Sequence, residues 1–101
     1  MNDKRRKIIR QQWRAMEELK AMHEALVAKA EEIKTALETV RDEEQEAFDN
    51  MPEGLQQGER GLTSEQAIED IETAIDALEE ITDADIDFDD AMTALDNAEH
   101  G

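Results

Sequence analysis

The chain has 101 residues, of which 28 are Asp or Glu and 11 are Lys or Arg, giving a formal net charge of −17. Its Leu, Ile, Val and Phe residues number only 19, so one domain of this length cannot enclose a large core. The absence of cysteine excludes a disulfide framework and a cysteine zinc site, and no run approaches the ~20 apolar residues of a membrane span. We expect a single domain over residues 1–101, cytoplasmic and without a membrane partner.

The charge is divided unevenly between the two parts of the chain. Residues 1–41 hold ten Lys or Arg against seven Asp or Glu, giving +3. Residues 42–101 hold one cation, Arg60, against 21 acids, giving −20. Such an asymmetry bears on partners and solubility rather than on fold.

A long first helix is predicted over about residues 3–49. Asn2 or Asp3 can cap its start, because either side chain can accept an unpaired backbone N–H. No Gly or Pro follows before Pro52, so nothing interrupts the helix until the proline, which disfavours a helical residue before it.

The apolar spacing of this helix is typical of a coiled coil, because positions three and four residues apart alternate along it. His23, Gln12 and Glu44 are its polar exceptions, and neighbouring apolar residues widen the stripe, which favours a bundle over a narrow two-helix zipper. The predicted seam consists of Ile9, Gln12, Met16, Leu19, His23, Leu26, Ala30, Ile33, Leu37, Val40, Glu44 and Ala47.

The helices are joined by a corner over about residues 50–63, where Pro52 is followed by Gly54, Gly58 and Gly61. We favour a single helical turn at residues 52–55, with Met51, Leu55 and Leu62 packed on the end of the bundle. A flexible loop is the alternative.

A second, acidic helix is predicted over about residues 64–98. Thr63 and Gln66 have the spacing of a capping box, and Ile68, Ile71 and Ile75 continue at helical spacing. Beyond Ile81 the register weakens in an Asp-rich stretch, because Asp is a poor helix former. A continuous helix is preferred, and a break near residues 83–87 is the alternative.

These elements predict an all-α fold, a long helical hairpin. Two helices from one chain bury one stripe each, so we expect a homodimer that forms a coiled coil or a four-helix bundle. Lys20, Lys29, Lys34 and Arg41 would then face acids of the second helix. The predicted oligomer interface consists of Ile9, Met16, Leu19, Leu26, Ile33, Leu37, Val40, Ile68, Ile71, Ile75 and Leu78.

No arrangement typical of catalysis is visible, so we predict a protein that is not an enzyme, with no catalytic residues, cofactor or metal site. His23 falls on the apolar seam, where a lone histidine is more often a polar core group than a ligand. The Asp-rich stretch from Asp83 has Phe88 and Ala94 where a calcium loop requires Gly and Glu.

Basic residues open the first helix at Lys4, Arg5, Arg6, Lys7, Arg10 and Arg14. They superficially resemble the basic region of a zipper protein that binds DNA. The large negative charge of the remaining chain would repel DNA. We therefore favour a solvated helix start or a patch for an acidic partner, and direct nucleic-acid binding is not expected.

An acidic stripe lies beside the apolar stripe of the second helix, and its members alternate by four and three residues. Fourteen acids lie between Ser64 and Glu99, or one per ~4 Å of helix. One DNA strand carries a charge per ~3.4 Å, so two such helices would approach the duplex value. The candidate partner-binding residues are Glu65, Glu69, Glu72, Asp76, Glu79 and Asp83.

The corner contains DEEQEAFDNMPEGLQ at Asp42–Gln56 and GERG at Gly58–Gly61, followed by the acidic helix EQAIEDIETAIDALEEI. These segments resemble a family of small, uncharacterised acidic proteins from phages and other mobile elements. The resemblance covers about residues 36–82. It implies a mobile-element setting, in which small acidic proteins are often inhibitors of host nucleases, anti-restriction and anti-CRISPR factors among them.

Three functions follow as hypotheses. In the first, the acidic helix mimics DNA and occupies the cleft of a basic nucleic-acid-binding protein of host or phage. In the second, the chain is a coiled-coil scaffold or adaptor that works through its corner and apolar seam. In the third, the basic start of the first helix binds DNA.

Overall fold

The computed structural model describes residues 2–101 and is all-α. Its helices are α1 (Asp3–Asp49), α2 (Glu53–Gln56), α3 (Glu59–Asp83) and α4 (Phe88–His100). No β-strand occurs within residues 2–101. The predicted fold class, an all-α helical hairpin, is therefore confirmed. None of the helices in these residues is both long and apolar enough to cross a bilayer.

The chain forms two compact units that share α1. The first unit runs through Leu26 and includes Ala84–Gly101, so it contains the start of α1 and all of α4. The second unit, Val27–Asp83, contains the rest of α1, with α2 and α3.

Helix α1 begins and ends as its sequence predicts. The Asn2 side chain accepts the backbone N–H of Arg5 at 2.9 Å, so Asn2 is the cap. At the other end the N–H of Asn50 donates to the carbonyl of Glu46 at 3.0 Å. The helix ends at Asp49 because Pro52 lies just beyond it and cannot continue the hydrogen-bond ladder.

The corner between α1 and α3 is an ordered helical turn. The N–H of Leu55 donates to the carbonyl of Pro52 at 2.9 Å, and the Gln56 amide donates to the carbonyl of Phe48 at 3.0 Å. The turn predicted at residues 52–55 is thus present. The predicted packing of the corner leucines is wrong, because Leu55 is 47% and Leu62 58% exposed.

Helix α3 starts at Glu59, five residues before the predicted start, so the capping box at Thr63 and Gln66 is wrong. The N–H of Leu62 already donates to the carbonyl of Gly58 at 3.0 Å. Thr63 therefore lies inside the helix, where no unpaired N–H needs a cap. Its hydroxyl donates instead to the carbonyl of Glu59 at 2.9 Å.

The second unit has a narrow core between α1 and α3. Ala30, Ile68 and Ile75 are its buried apolar residues, at 3%, 8% and 4% exposure. Ser64 is buried too, and its hydroxyl donates to Glu44 Oε1 at 2.5 Å. Glu44, a polar member of the predicted seam, thus accepts a hydrogen bond from α3. The buried Ser64 hydroxyl therefore has the partner that a buried polar group needs.

The first unit pairs α4 with the start of α1, after a break in the second half of the chain. Residues 84–87 are not helical, so the continuous helix over 64–98 is wrong and the predicted break is correct. Asp87 produces it, because its Oδ1 accepts the N–H of Asp90 at 3.1 Å and caps α4. The ring of His23 packs on that of Phe88, with centroids 5.3 Å apart.

The burial along α1 divides the predicted seam between two sides of the helix. Ile9, Met16 and Leu37 are half-buried, as are Ile71 and Leu78 on α3. By contrast, six members of the predicted seam are exposed: Gln12, Leu19, Leu26, Ile33, Val40 and Ala47. Their places facing the second half of the chain are taken by Trp13, Lys20, Val27, Lys34, Arg41 and Phe48, all half-buried.

A substitution of Gly61 tests the close approach of α3 to the backbone of Gln56 at the corner. A Cβ added to Gly61 would overlap the backbone of Gln56, so we expect Gly61→Ala to lower the free energy of unfolding by about 1–3 kcal/mol. Gly54→Ala is the control, because nothing lies within 4 Å of its added Cβ, and the better helix former should not destabilise α2. Urea unfolding measures both, and equal losses would contradict the close approach.

A substitution of Asp87 tests the cap at the start of α4. We expect Asp87→Ala to destabilise α4 by about 1 kcal/mol, the usual effect of losing a capping carboxylate. Hydrogen exchange of the α4 amides, followed by NMR, should become faster. Asp85→Ala alters an exposed neighbour, and matching exchange rates in the two variants would show that the cap is unimportant.

Candidate acidic binding face

The six predicted contact residues all lie on α3, in the second unit. We call them the acidic face: Glu65, Glu69, Glu72, Asp76, Glu79 and Asp83. Their steps of four and three residues keep them on one flank of the helix, beside the stripe that contains Ile68 and Ile75. Because the apolar stripe of α3 packs against α1, the neighbouring flank that carries the carboxylates faces solvent.

The carboxylates of this face are almost all free of cations. All except Glu79 are exposed. Glu79 Oε1 lies 3.4 Å from Lys34 Nζ on α1, and it is the one member with a cation within ion-pair distance among residues 2–101. Burial of the ammonium acts to lower the pKa of Lys34, but attraction to Glu79, Glu31 and Glu38 outweighs it and raises that pKa.

The second unit carries most of the net charge. It holds four Lys or Arg against 18 Asp or Glu, giving −14. The first unit holds seven against ten, giving −3. The negative potential is therefore concentrated in the unit that contains the acidic face.

In the first unit, by contrast, the acids of α4 are largely paired. Arg10 Nη2 lies 2.6 Å from Glu99 Oε2 and 3.4 Å from Asp96 Oδ1, and the pairing with Glu99 is the main cause that raises the pKa of Arg10. Lys20 Nζ lies 3.0 Å from Asp89 Oδ1, which raises the pKa of Lys20. These pairs leave less uncompensated charge on α4 than on α3.

The predicted pairing of α1 cations with the second half of the chain holds for two of four residues. Lys20 and Lys34 reach Asp89 and Glu79. Lys29 and Arg41 instead pair along α1 itself, at 3.6 Å from Glu32 and 3.2 Å from Asp42. Arg10, for which no such pairing was predicted, forms the first unit's closest ion pair because α4 extends to His100.

The basic start of α1 remains largely exposed. Arg10 forms ion pairs with acids of α4, and its guanidinium carbon also lies 5.0 Å from the centroid of the Trp13 ring. The other five cations, Lys4, Arg5, Arg6, Lys7 and Arg14, have no carboxylate within ion-pair distance in the described part of the chain.

Asp96, Glu99 and His100 at the end of α4 form the one group of potential metal ligands found in residues 2–101, with ligand atoms within 4.8 Å of one another. The Glu99 carboxylate already neutralises Arg10, so a cation would have to compete with the guanidinium. His23 is not part of this group, and the Phe88 ring that it packs on supports the core interpretation.

No protein-family model, curated protein or solved structure matches this chain. The resemblance of residues 36–82 to phage proteins therefore stays a prediction. The charge and exposure of the acidic face are the observations from which a function is inferred.

Salt should stabilise the protein, because it screens the repulsion among the free carboxylates of the second unit more than it weakens the few ion pairs. We expect the free energy of unfolding, from urea titrations, to be higher at high than at low sodium chloride. The triple variant Glu69→Lys, Glu72→Lys, Asp76→Lys should show a smaller increase. A stability that falls with salt would mean that ion pairs outweigh repulsion.

Proposed function

We propose that this protein is a phage or mobile-element inhibitor whose acidic face occupies the nucleic-acid-binding cleft of a basic host or phage protein. Host defence and DNA-processing proteins are the class of target, as for anti-restriction and anti-CRISPR factors. The observation that carries the proposal is the acidic face itself, a row of six acidic residues of which five are exposed and only Glu79 has a cation partner within residues 2–101.

The charge density of α3 suits such a target. Its 25 residues contain nine Asp or Glu and one cation, Arg60, or one carboxylate per ~4 Å along the helix axis. A single DNA strand has one phosphate per ~3.4 Å. A cleft whose Lys and Arg side chains follow a phosphate backbone would therefore meet similarly spaced charges on α3.

The same geometry supplies the energetic basis for binding. Free carboxylates need not break an internal ion pair before they contact a cation of the target. The field of a unit with a charge of −14 steers a basic protein toward it and makes association sensitive to salt. Glu79 is the member expected to contribute least, because Lys34 already neutralises it.

A coiled-coil scaffold is the second candidate, favoured by the exposed apolar residues Leu19, Leu26, Ile33 and Val40. A scaffold would tolerate charge reversal on α3 but not substitutions of those residues. The two functions are therefore separable by variants on different helices.

The test is a pull-down from host lysate with the tagged protein, washed at low and high salt and analysed by mass spectrometry. We expect a DNA-binding protein that leaves at high salt and is displaced by added duplex DNA. The triple variant Glu69→Lys, Glu72→Lys, Asp76→Lys should fail to recover it and, with the purified target, should lower affinity by about tenfold or more. Circular dichroism should show unchanged helix content, because all three residues are exposed.

The matched control is Glu17→Lys, Glu18→Lys, Glu24→Lys, which makes the same change in charge at exposed residues of α1 in the first unit. It should recover the target as the natural chain does. Recovery by the α3 variant as well, or a partner retained at high salt and unaffected by DNA, would refute the mimic and favour the scaffold.

A further inference from the structure

Helix α1 carries two interleaved stripes with alternating steps of three and four residues, and only one of them is covered. The covered stripe, which we call the inner face, consists of residues that are all buried or half-buried: Ile9, Trp13, Met16, Lys20, His23, Val27, Ala30, Lys34, Leu37, Arg41, Glu44 and Phe48. The second stripe, the outer face, consists of residues that are all exposed: Ile8, Gln12, Ala15, Leu19, Met22, Leu26, Lys29, Ile33, Ala36, Val40, Glu43 and Ala47.

The outer face is the more apolar of the two at its centre, although it faces solvent. Met22 is 67% exposed and Leu26 53%. Nine of its twelve residues are apolar, whereas the inner face includes three cations and a glutamate. Monomeric proteins seldom leave a contiguous apolar stripe uncovered, and such stripes mark interaction sites. Its spacing is that of a coiled-coil seam.

We propose that a second copy of this chain covers the outer face, with the two α1 helices antiparallel. The proposal concerns α1 and does not depend on a function for the acidic face of α3.

Charge decides the direction of the second copy. The start of α1 has six cations between Lys4 and Arg14, and its end has six acids and one cation between Glu38 and Asp49. A parallel pair would place cations beside cations and acids beside acids. An antiparallel pair places the basic start of each helix along the acidic end of the other, which favours association and steers it.

A single alignment then pairs most apolar positions of the outer face with one another, with Gln12 opposite Ala36 and Lys29 opposite Leu19. Met22 lies opposite Leu26 of the second copy, and Ile8 lies opposite Val40. The same alignment sets the small Ala15 against the large Ile33. Arg5, in the same repeat one step before Ile8, falls opposite Glu43. Both are exposed, and neither forms an ion pair within residues 2–101.

The oligomeric state is the first test. The natural chain should sediment as a dimer in analytical ultracentrifugation. Met22→Asp should dissociate it, because the new carboxylate would be buried at the centre of the seam. Ala21→Asp adds the same charge to an exposed neighbour outside both faces and should leave the dimer intact. A monomeric natural chain, or equal effects of the two variants, would overturn the proposal.

Disulfide cross-linking tests the direction of the second α1 helix. Because the chain has no cysteine, an introduced cysteine is the only thiol of its variant. A mixture of Val40→Cys and Ile8→Cys chains should form the mixed disulfide, and neither should cross-link to itself. Self-cross-linking of Val40→Cys would show a parallel pair. Preferred cross-linking of Val40→Cys to Ala15→Cys would show a different alignment.

A charge swap tests the alignment in the unlabelled protein. Arg5→Glu and Glu43→Arg should each raise the dimer dissociation constant, by about twofold to fivefold for an exposed ion pair. The double variant should restore it, because the pair is re-formed with its charges exchanged. Additive weakening in the double variant would show that the two residues are not opposite each other.

Discussion

The uninterrupted length of α1 is the constraint on which the structure depends. A helix of 47 residues gains little from its own hydrogen bonds and must bury apolar surface to be stable. Within residues 2–101, α4 covers the inner face of α1 in the first unit, and α3 covers it in the second. The narrow core that results, with Ala30, Ile68 and Ile75 as its buried apolar members, leaves half of the apolar pattern of α1 without a partner.

The same packing determines which charged side chains are paired within the chain. Lys20 and Lys34 of the inner face are half-buried, and they pair within the chain with Asp89 and Glu79. Arg10 does the same for the end of α4. What remains on α3 is a row of carboxylates of which only Glu79 has a cation within ion-pair distance among residues 2–101. Intramolecular pairing therefore increases the contrast between the two units.

The parts of the fold that depend on local chemistry could be predicted from the sequence. Pro52 determines where α1 ends, and the absence of breakers before it determines its length. The start of α3 could not be predicted in this way, because Thr63 has the right spacing for a cap, whereas the helix begins at Glu59 and the N–H of Leu62 already bonds to the carbonyl of Gly58. The division of the α1 seam could not be predicted, because Lys20, Lys34 and Arg41 are charged and look solvent-exposed in sequence but are half-buried in the structure. The exposure of the acidic face followed directly from its position beside the apolar stripe.

The corner also sets the rotational phase of α3. Gly61 on α3 lies against the backbone of Gln56, and the side chain of Gln56 is hydrogen-bonded to the carbonyl of Phe48 at the end of α1. Each residue turns a helix by about 100°, so one residue inserted between Gln56 and Gly61 would rotate every later side chain by more than a quarter turn. Ile68 and Ile75 would then take the exposed places of Glu69 and Asp76, and Ala67 and Ala74 would take their buried places against α1. The length of this short corner is thus as much a determinant of the acidic surface as the acids themselves.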